Sequence, residues 1–427
     1  MIVTSYTRKQ FFKNGVLLAL IVSLLLSPVL FDKAAHSSVR PGVDIREAYL
    51  SHYFGIDWDN LRTEKQFLTA ADKIIRSHDV TPLSADKPLS ALRAIRYGLK
   101  LAGFKELVPT YSDRNVEETL DHDRQALLLD KNELQEAAAA VDIGMILSSD
   151  LDILLKDTPA QRDLVARVLL FVADAKGKGR NFLGTTDQPD IYGRILSNYR
   201  EGLGMMDPKL YTVGKRAVKR KITTGFNLKN DRYAPRFFPD LTLTYSHSSI
   251  DHVKQLIALM KREGIVAKVQ LEPKLSIYEY LLEWGAIPKP SPTYRVENHE
   301  ENFYLAHSYE YDLSFEFATA KDKSRFDALI KKFAKKNSAD PKDKPLLIDS
   351  WWQPLYSSPT PMNAEDYHLI YDNVLTHNHF SIHPFSLAEK KDETAAQLQA
   401  LAPDRSVDSR PIYVNSAFYR YLKGESE

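Results

Sequence analysis

Two stretches in the first half of the chain follow one plan, and this repetition limits what that half can fold into. They run over residues 67–104 and 134–175. Each has an alanine-rich segment, an apolar turn, a loop ending in Pro88 or Pro159, and an amphipathic segment. Proline is tolerated in the first turn of a helix, because its missing N–H would have no partner there. Recurrence of this plan at a spacing of about 70 residues predicts a helical repeat region.

The composition of the two stretches supports helices that pack closely. Ala70 and Ala71 in the first stretch, and residues 137–140 in the second, offer small side chains at the contact surface. The closing segments place apolar residues three or four positions apart, as an amphipathic helix requires. These residues are Leu89, Leu92, Ile95 and Leu99 in the first stretch, and Leu164, Val165, Val168, Leu169 and Val172 in the second.

This layout resembles the S-layer homology domains of Gram-positive surface proteins. The resemblance covers residues 44–175, about a third of the chain, and residues 46–58 are a candidate for a third lobe. It implies a helical trefoil whose grooves bind pyruvylated cell-wall polysaccharide. Where the family has a Thr-Arg-Ala-Glu motif, this chain reads Ser-Ala-Leu-Arg at residues 90–93 and Ala-Gln-Arg-Asp at residues 160–163.

The arginine of the family motif contacts the acidic sugar, so the resemblance implies Arg93 and Arg162 as ligand-binding residues. Each guanidinium would act as a charge-assisted hydrogen-bond donor to the anionic group. The alternative is that both arginines are solvated charges on helix surfaces.

The N-terminal segment predicts export. Arg8, Lys9 and Lys13 precede an uncharged apolar run over residues 15–31, which is the layout of a signal peptide. The run is shorter than a comfortable membrane span and contains Pro28 near its end. We therefore expect residues 1–38 to be a signal peptide or an uncleaved membrane anchor, and an extracellular, cell-envelope or secreted location.

Charge and cysteine content exclude several classes of function. Lys and Arg total 57 against 56 Asp and Glu, so no global field directs the chain toward nucleic acid. The chain has no cysteine, which excludes disulfides, thiolate zinc sites and cysteine nucleophiles. No P-loop, dinucleotide-binding fingerprint or nucleophile elbow is present.

The second half alternates between strand and helix patterns. Strand-type segments at residues 241–245, 265–273, 311–317 and 346–356 flank two helical segments, with Ser248/Asp251 and Thr319/Asp322 as capping pairs. Two similar strand–helix–strand units predict an internal duplication. The expected fold class is α+β: an all-α helical repeat region resembling S-layer homology domains, followed by a duplicated βαβ, ferredoxin-like region.

The predicted domain borders follow from these patterns. The helical repeat domain takes residues 39–205, and the duplicated α/β domain takes residues 241–427. Residues 206–240 between them are rich in Lys and Arg and lack a clean helical period, which predicts a basic connector. Such a segment either attracts anionic wall polymers or lipid headgroups, or is a solvated linker.

Aromatic side chains of the second half are candidates for stacking on sugars. Trp351, Trp352 and Tyr356 are the main candidates, with Trp284 and Tyr294 as further ones. Adjacent residues of a strand point to opposite faces, so one of the two neighbouring tryptophans is expected to lie in the core.

Three histidines form the best candidate metal site in the sequence. His377, His379 and His383 lie within seven residues of one another, and the first two share a face if the segment is a strand. Three imidazoles can bind zinc with a fourth position open. The alternative is a polar loop or edge strand with surface histidines.

The sequence favours a non-enzymatic envelope protein that associates with cell-wall polysaccharide or peptidoglycan through its helical region. Its C-terminal α/β region would present a second binding surface. No cofactor is expected in that case, and membrane attachment would depend on the N-terminal segment. The first alternative is an extracellular metal-dependent hydrolase that uses the histidine cluster with zinc. The second is a structural or assembly factor that binds another protein.

Overall fold

The computed structural model describes residues 44–76, 87–120, 129–154, 159–300, 302–338, 340, 342, 344–348, 350 and 352–425. The predicted signal or anchor, residues 1–38, lies outside the described residues. Within the described part of the chain, every helix is too short or too polar to cross a lipid bilayer.

The described residues between 44 and 175 form helices around a hydrophobic core. The helices are α1 (Ile45–Phe54), α2 (Glu64–Ile75), α3 (Ala91–Ala102), α4 (Asp113–Leu120), α5 (Lys131–Asp142), α6 (Leu151–Leu154) and α7 (Arg162–Ala175). Side-chain caps define several starts: Thr63 and Gln66 form a capping box at α2, and Ser90 accepts a hydrogen bond from the Arg93 N–H at α3. Phe67 and Ile95 are fully buried in this core.

Gly98 brings α3 unusually close to α7. A β-carbon at this position would lie 2.5 Å from Cγ1 of Val168 and 3.0 Å from Sδ of Met145. Val168 is β-branched and therefore has little freedom to move aside in a helix. The two helices consequently depend on a glycine for their separation.

We expect Gly98→Ala to lower the free energy of unfolding by about 1–3 kcal/mol, because overpacking exceeds the gain in helix propensity. Chemical denaturation measures this loss, and adding Val168→Ala should recover part of it. Gly193→Ala is the matched control, since a β-carbon there meets no atom within 4 Å. Equal stability of Gly98→Ala and the wild type would show that the helix contact is looser than described.

The segment predicted to be a connector contributes a helix and a strand to the second half of the fold. After β1 (Gly184–Thr185) and α8 (Ile191–Gly202), residues 208–219 form α9 (Pro208–Lys219) and residues 225–230 form β2 (Gly225–Asn230). The start of α9 has Asp207 as N-cap, whose carboxylate accepts from the Leu210 N–H, followed by Pro208. Helix α9 packs its Leu210 and Val218 into a hydrophobic core that it shares with β2.

The strands form a closed antiparallel barrel. The remaining strands are β3 (Thr242–His247), β4 (Ala267–Glu279), β5 (Tyr294–Glu300), β6 (Phe303–Phe317), β7 (Leu355–Ser358), β8 (Tyr367–His377), β9 (Phe380–Leu387) and β10 (Asp408–Asn415). Neighbours follow the order β4–β2–β9–β8–β10–β7–β3–β6, and pairing of β6 with β4 closes the circle of eight strands. Strand β1 pairs with β4, and β5 pairs with β6, outside this circle.

Helices cover the apolar outer face of the barrel. They include α10 (Ile250–Arg262), α11 (Ala320–Phe333) and α12 (Lys391–Leu401), and a last helix, α13 (Ser416–Leu422), follows β10. On β4, Val269 and Leu271 pack against α8 and α10, and Leu275 and Ile277 pack against α9. Because side chains alternate along a strand, the residues between them point into the barrel.

The predicted ferredoxin-like fold class is wrong. The two strand–helix–strand segments exist as β3–α10–β4 and β6–α11–β7, and Thr319 caps α11 by accepting from the Asp322 N–H. However, β3, β4, β6 and β7 do not form a separate open sheet. Strands β2, β8, β9 and β10 continue their sheet and close it into the barrel. Closure satisfies the strand edges that an open sheet would expose.

Candidate functional site

Three short extended segments of the helical region meet one another in succession. Antiparallel bridges join Thr63 to Pro88 and Ser90 to Pro159. The backbone hydrogen bonds are Glu64 N–H to Lys87 O (3.1 Å), Leu89 N–H to Arg62 O (3.0 Å) and Ala160 N–H to Leu89 O (2.8 Å). A helix begins within two residues of each bridged segment: α2, α3 and α7. The starts of three helices therefore lie together.

We name residues 62–65, 87–93 and 159–163 the three-helix junction. The N-terminus of a helix carries a partial positive charge, and three such ends converge here. Five cationic side chains belong to the junction: Arg62, Lys65, Lys87, Arg93 and Arg162. Anionic groups that bind at this surface would meet both kinds of positive charge.

The two arginines that the sequence singled out lie at this junction but in different environments. Arg93 places Nη1 2.8 Å from Oε1 of Glu64, a carboxylate that is fully buried and that also accepts from the Tyr97 hydroxyl. Removal of Arg93 would leave that carboxylate without its counter-charge. Arg162 instead pairs with Asp59 at 2.6 Å, with both side chains largely exposed. An exposed pair of this kind is weak and can exchange for another anion.

The aromatic candidates differ in burial: Tyr356 is buried, whereas Trp284, Tyr294 and Trp352 are half-buried. Tyr356 is buried, donates its hydroxyl to the carbonyl of Ala334 and stacks on Tyr245 with ring centroids 6.1 Å apart. Strand β7 turns this side chain toward the core beside α11, and its contact with a ligand stays a prediction. Trp351 lies outside the described residues.

Trp352 is half-buried within an aromatic group at the end of the barrel. Its ring lies edge-on to Tyr278, Trp284 and Tyr421, with centroids 6.0, 6.1 and 6.4 Å away. Among the described residues of the expected strand over residues 346–356, strand pairing begins at Leu355, the first residue of β7. The partly exposed edge of Trp352 keeps its role in sugar contact as a prediction.

The structure does not bring His377, His379 and His383 together. His377 points outward and places Nδ1 2.7 Å from Oδ2 of Asp207, the residue that caps α9. His379 is exposed in the two-residue turn between β8 and β9. His383 pairs instead with Asp372 on the inner face. The hairpin register places His377 beside Phe380, so His383 falls on the opposite face and no three-imidazole zinc site forms.

The barrel interior contains a network of buried charges. Asp312 of β6 lies 2.6 Å from Nζ of Lys229 and 2.7 Å from Nζ of Lys274, and Lys229 also lies 2.6 Å from Glu272. Burial acts to raise the pKa of Asp312, but the two lysine charges outweigh it and hold this pKa far below its usual value. Burial acts to lower the pKa of Lys229, and the two carboxylates raise it well above its usual value. Asp312 and Lys229 are thus charged at neutral pH.

A second hydrogen-bonded group lines the same interior. Ser381 Oγ lies 2.9 Å from Nε2 of His383, and Nδ1 of His383 lies 2.8 Å from Oδ2 of Asp372. This order of atoms is that of a serine nucleophile, its base and an orienting carboxylate. Acyl transfer also needs N–H donors for the oxyanion. The strand carrying Ser381 is paired on both sides, with β2 and β8, so we assign this group to the polar lining of the barrel.

Comparisons with protein-family models, with curated proteins and with solved structures found no match for this chain.

Proposed function

We propose that this protein is an exported envelope protein that associates with anionic cell-wall polysaccharide through the three-helix junction. One observation carries the proposal: the starts of α2, α3 and α7 are held together by successive backbone bridges. The partial positive charges of these helix starts and the five cationic side chains of the junction favour an acidic glycan over a neutral one. Export relies on the signal-type segment at residues 1–38.

The proposal gives the two arginines separate roles. Arg162 is exposed and weakly paired with Asp59, so it is the residue that would exchange its partner for a ligand carboxylate. Arg93 neutralises the buried Glu64 and holds the start of α2 against α3. Replacement of Arg93 would therefore lower stability as well as affinity, and Arg162 is the cleaner position for a test.

We expect purified protein comprising residues 39–427 to sediment with isolated cell wall and to stay in solution once the secondary polysaccharide has been stripped from that wall. Arg162→Ala should weaken binding by about tenfold or more, since a charge-assisted hydrogen bond contributes about 1.5–3 kcal/mol. Binding should also fall as salt is raised, because exposed charges are screened. Quantifying the pelleted fraction against wall concentration gives the apparent affinity.

Arg114→Ala is the matched control, since Arg114 is not one of the junction residues and pairs with Glu118 on exposed helix surface. It should bind as the wild type does. Asp59→Asn, which releases Arg162 from its partner, should bind equally well or more tightly. Equal sedimentation with stripped and unstripped wall, or unchanged binding by Arg162→Glu, would refute the proposal.

A further inference from the structure

Strands β5 and β6 present two histidines and a glutamate on one outer surface of the barrel. Arg295 and Glu297 alternate along β5 and so share a face, and His307 of β6 lies directly opposite Arg295 in the register. His299 lies at an irregularity of β5 between Asn298 and Glu300, where its Nε2 is 3.5 Å from Oε2 of Glu297. Tyr211 of α9 lies over this surface, with its ring stacked on the His307 ring at a centroid distance of 5.7 Å. Three strand residues and one helix residue therefore converge from separate parts of the chain.

The potential ligand atoms lie at the separations that a metal ion requires. Oε2 of Glu297 is 3.5 Å from Nε2 of His299 and 3.9 Å from Nε2 of His307, and one ligand atom from each of the three residues lies within 4.8 Å of the others. Zinc binds histidine and carboxylate at about 2.0–2.2 Å, which places neighbouring ligands of a tetrahedral site about 3.3–3.6 Å apart. Small side-chain movements would bring the three atoms to this spacing.

The guanidinium of Arg295 orients the carboxylate of Glu297. Nε of Arg295 donates to Oε1 of Glu297 at 2.6 Å, which leaves Oε2 directed at the two imidazoles. Outer contacts of this type commonly position metal ligands. The Tyr211 hydroxyl lies 3.1 Å from Nε2 of His307 and 3.4 Å from Nε2 of His299. It is thus placed beside the position that a fourth ligand would occupy.

Solvent can reach the ligand atoms of this cluster from one side. His307 is almost fully buried, whereas His299 and Glu297 keep 20% and 38% of their side chains exposed, so an ion can enter from solvent.

We propose that Glu297, His299 and His307 bind a divalent transition-metal ion of the zinc type, with a water in the fourth position hydrogen-bonded to Tyr211. Two histidines and one carboxylate are a common ligand set for zinc with an open coordination position. The ligand type disfavours Mg²⁺ and Ca²⁺, which prefer sites made of oxygen atoms alone. This site is separate from the three-helix junction, and its test does not depend on wall binding.

The test uses residues 39–427 purified without a metal-affinity tag and stripped with a chelator. Titration with Zn²⁺ against a chromophoric competitor should give one ion per chain, with a Kd of about 1 µM or tighter. Glu297→Gln and His299→Gln should each weaken binding by about 100-fold or more, beyond what the loss of an outer contact costs. Co²⁺ in the same site should show the visible absorption of a tetrahedral complex, which is a readout independent of affinity.

His379→Gln is the matched control, because His379 is an exposed histidine in the turn between β8 and β9. It should keep wild-type affinity, and thermal unfolding without metal should show that all three variants are folded. Absence of saturable Zn²⁺ binding by the folded wild type at about 100 µM would overturn the proposal. So would wild-type affinity in both Glu297→Gln and His299→Gln.

Discussion

Replacing Asp312 with alanine should lower the free energy of unfolding by about 3–5 kcal/mol, the range found when one partner of a buried ion pair is removed. Asp312 lies within 2.7 Å of both Lys229 and Lys274 and also accepts from the Ser246 hydroxyl inside the barrel. Without this carboxylate, Lys229 keeps only Glu272, and Lys274 keeps only a 4.0 Å contact with Glu310. Urea denaturation at pH 7 measures the loss.

Asp251→Ala is the control for this experiment. Asp251 is exposed at the start of α10 and pairs with exposed Lys254, so its loss should cost less than about 1 kcal/mol. A loss of similar size in both variants would mean that the interior charges are solvated rather than buried.

The pH dependence of the Asp312 contribution follows from the direction of its shift. Its pKa is lower in the folded state than in the unfolded state, so the stabilisation is present above the unfolded value near 3.8 and is lost as pH falls below it. The difference between wild type and Asp312→Ala should therefore shrink in acid. A difference that grows as pH falls would contradict the charge network.

Replacing Lys323 with methionine should stabilise the protein at pH 7 and lose that advantage in alkali. Lys323 is 5% exposed, and its ammonium donates to Ser358 Oγ at 2.9 Å, to the Asp240 carbonyl at 3.2 Å and to Thr360 Oγ1 at 3.4 Å. Burial, only partly opposed by the charges of Asp240 and Asp327, lowers the pKa of Lys323 to about 8. Charging this amine in the folded protein is therefore costly at neutral pH.

The direction of the pH dependence of the Lys323 contribution follows from the number of protons bound in the folded and unfolded states. Between the folded pKa of about 8 and the unfolded value of 10.5, the unfolded chain binds a proton that the folded protein does not, so stability rises with pH. Lys323→Met lacks this dependence. Its stability relative to wild type should thus fall by about 3 kcal/mol between pH 7 and pH 10.5.

Unfolding in urea across this pH range, on both proteins in parallel, isolates the contribution of the one amine because other groups titrate in both. Lys254→Met, at an exposed lysine of α10, should show little pH dependence relative to wild type. A pH-independent difference between Lys323→Met and wild type would show that the amine is solvated.

The helical character of the first half could be predicted from local sequence. The predicted cap at Thr319 is confirmed, because a short side-chain oxygen reaches an N–H only three residues away. The predicted cap at Ser248 is wrong, since α10 begins after Ser249 and has no side-chain cap there. The strand–helix–strand pattern around α10 and α11 could also be predicted, because it depends on residues that are close together in the sequence. Local patterns, however, carry no information on which other strands complete a sheet.

Closure of the barrel could not be read from those patterns. Strand β2 lies within a basic segment that lacked a helical period, yet it pairs with β9, whose residues lie about 150 positions later in the chain. The burial of Tyr356 could not be predicted from local sequence for the same reason. The buried face of β7 is the one that packs against α11. Although α11 is adjacent in sequence, its position depends on the pairing of all the strands in the sheet.

The proposed metal ligands likewise could be predicted from the sequence only in part. Glu297 and His299 stand two residues apart, which places them on one face of any strand, but neither the two residues nor His307 formed a compact motif. The pairing of β5 with β6 brings His307 beside them, and α9 adds Tyr211. The compact group of His377, His379 and His383, in contrast, is separated because a two-residue turn places His377 and His383 on opposite faces of the barrel wall.

The sequence alone therefore determined the features set by neighbours along the chain: the helix cap at Thr319, amphipathic periods, absence of cysteine chemistry and the charge balance. The tertiary structure decided the barrel, its charged interior, the separation of the three histidines and the approach of His307 to Glu297. The physical reason is that strand pairing selects partners across long loops and assigns each side chain to one of two faces. A shift of one residue in that pairing reverses every such assignment.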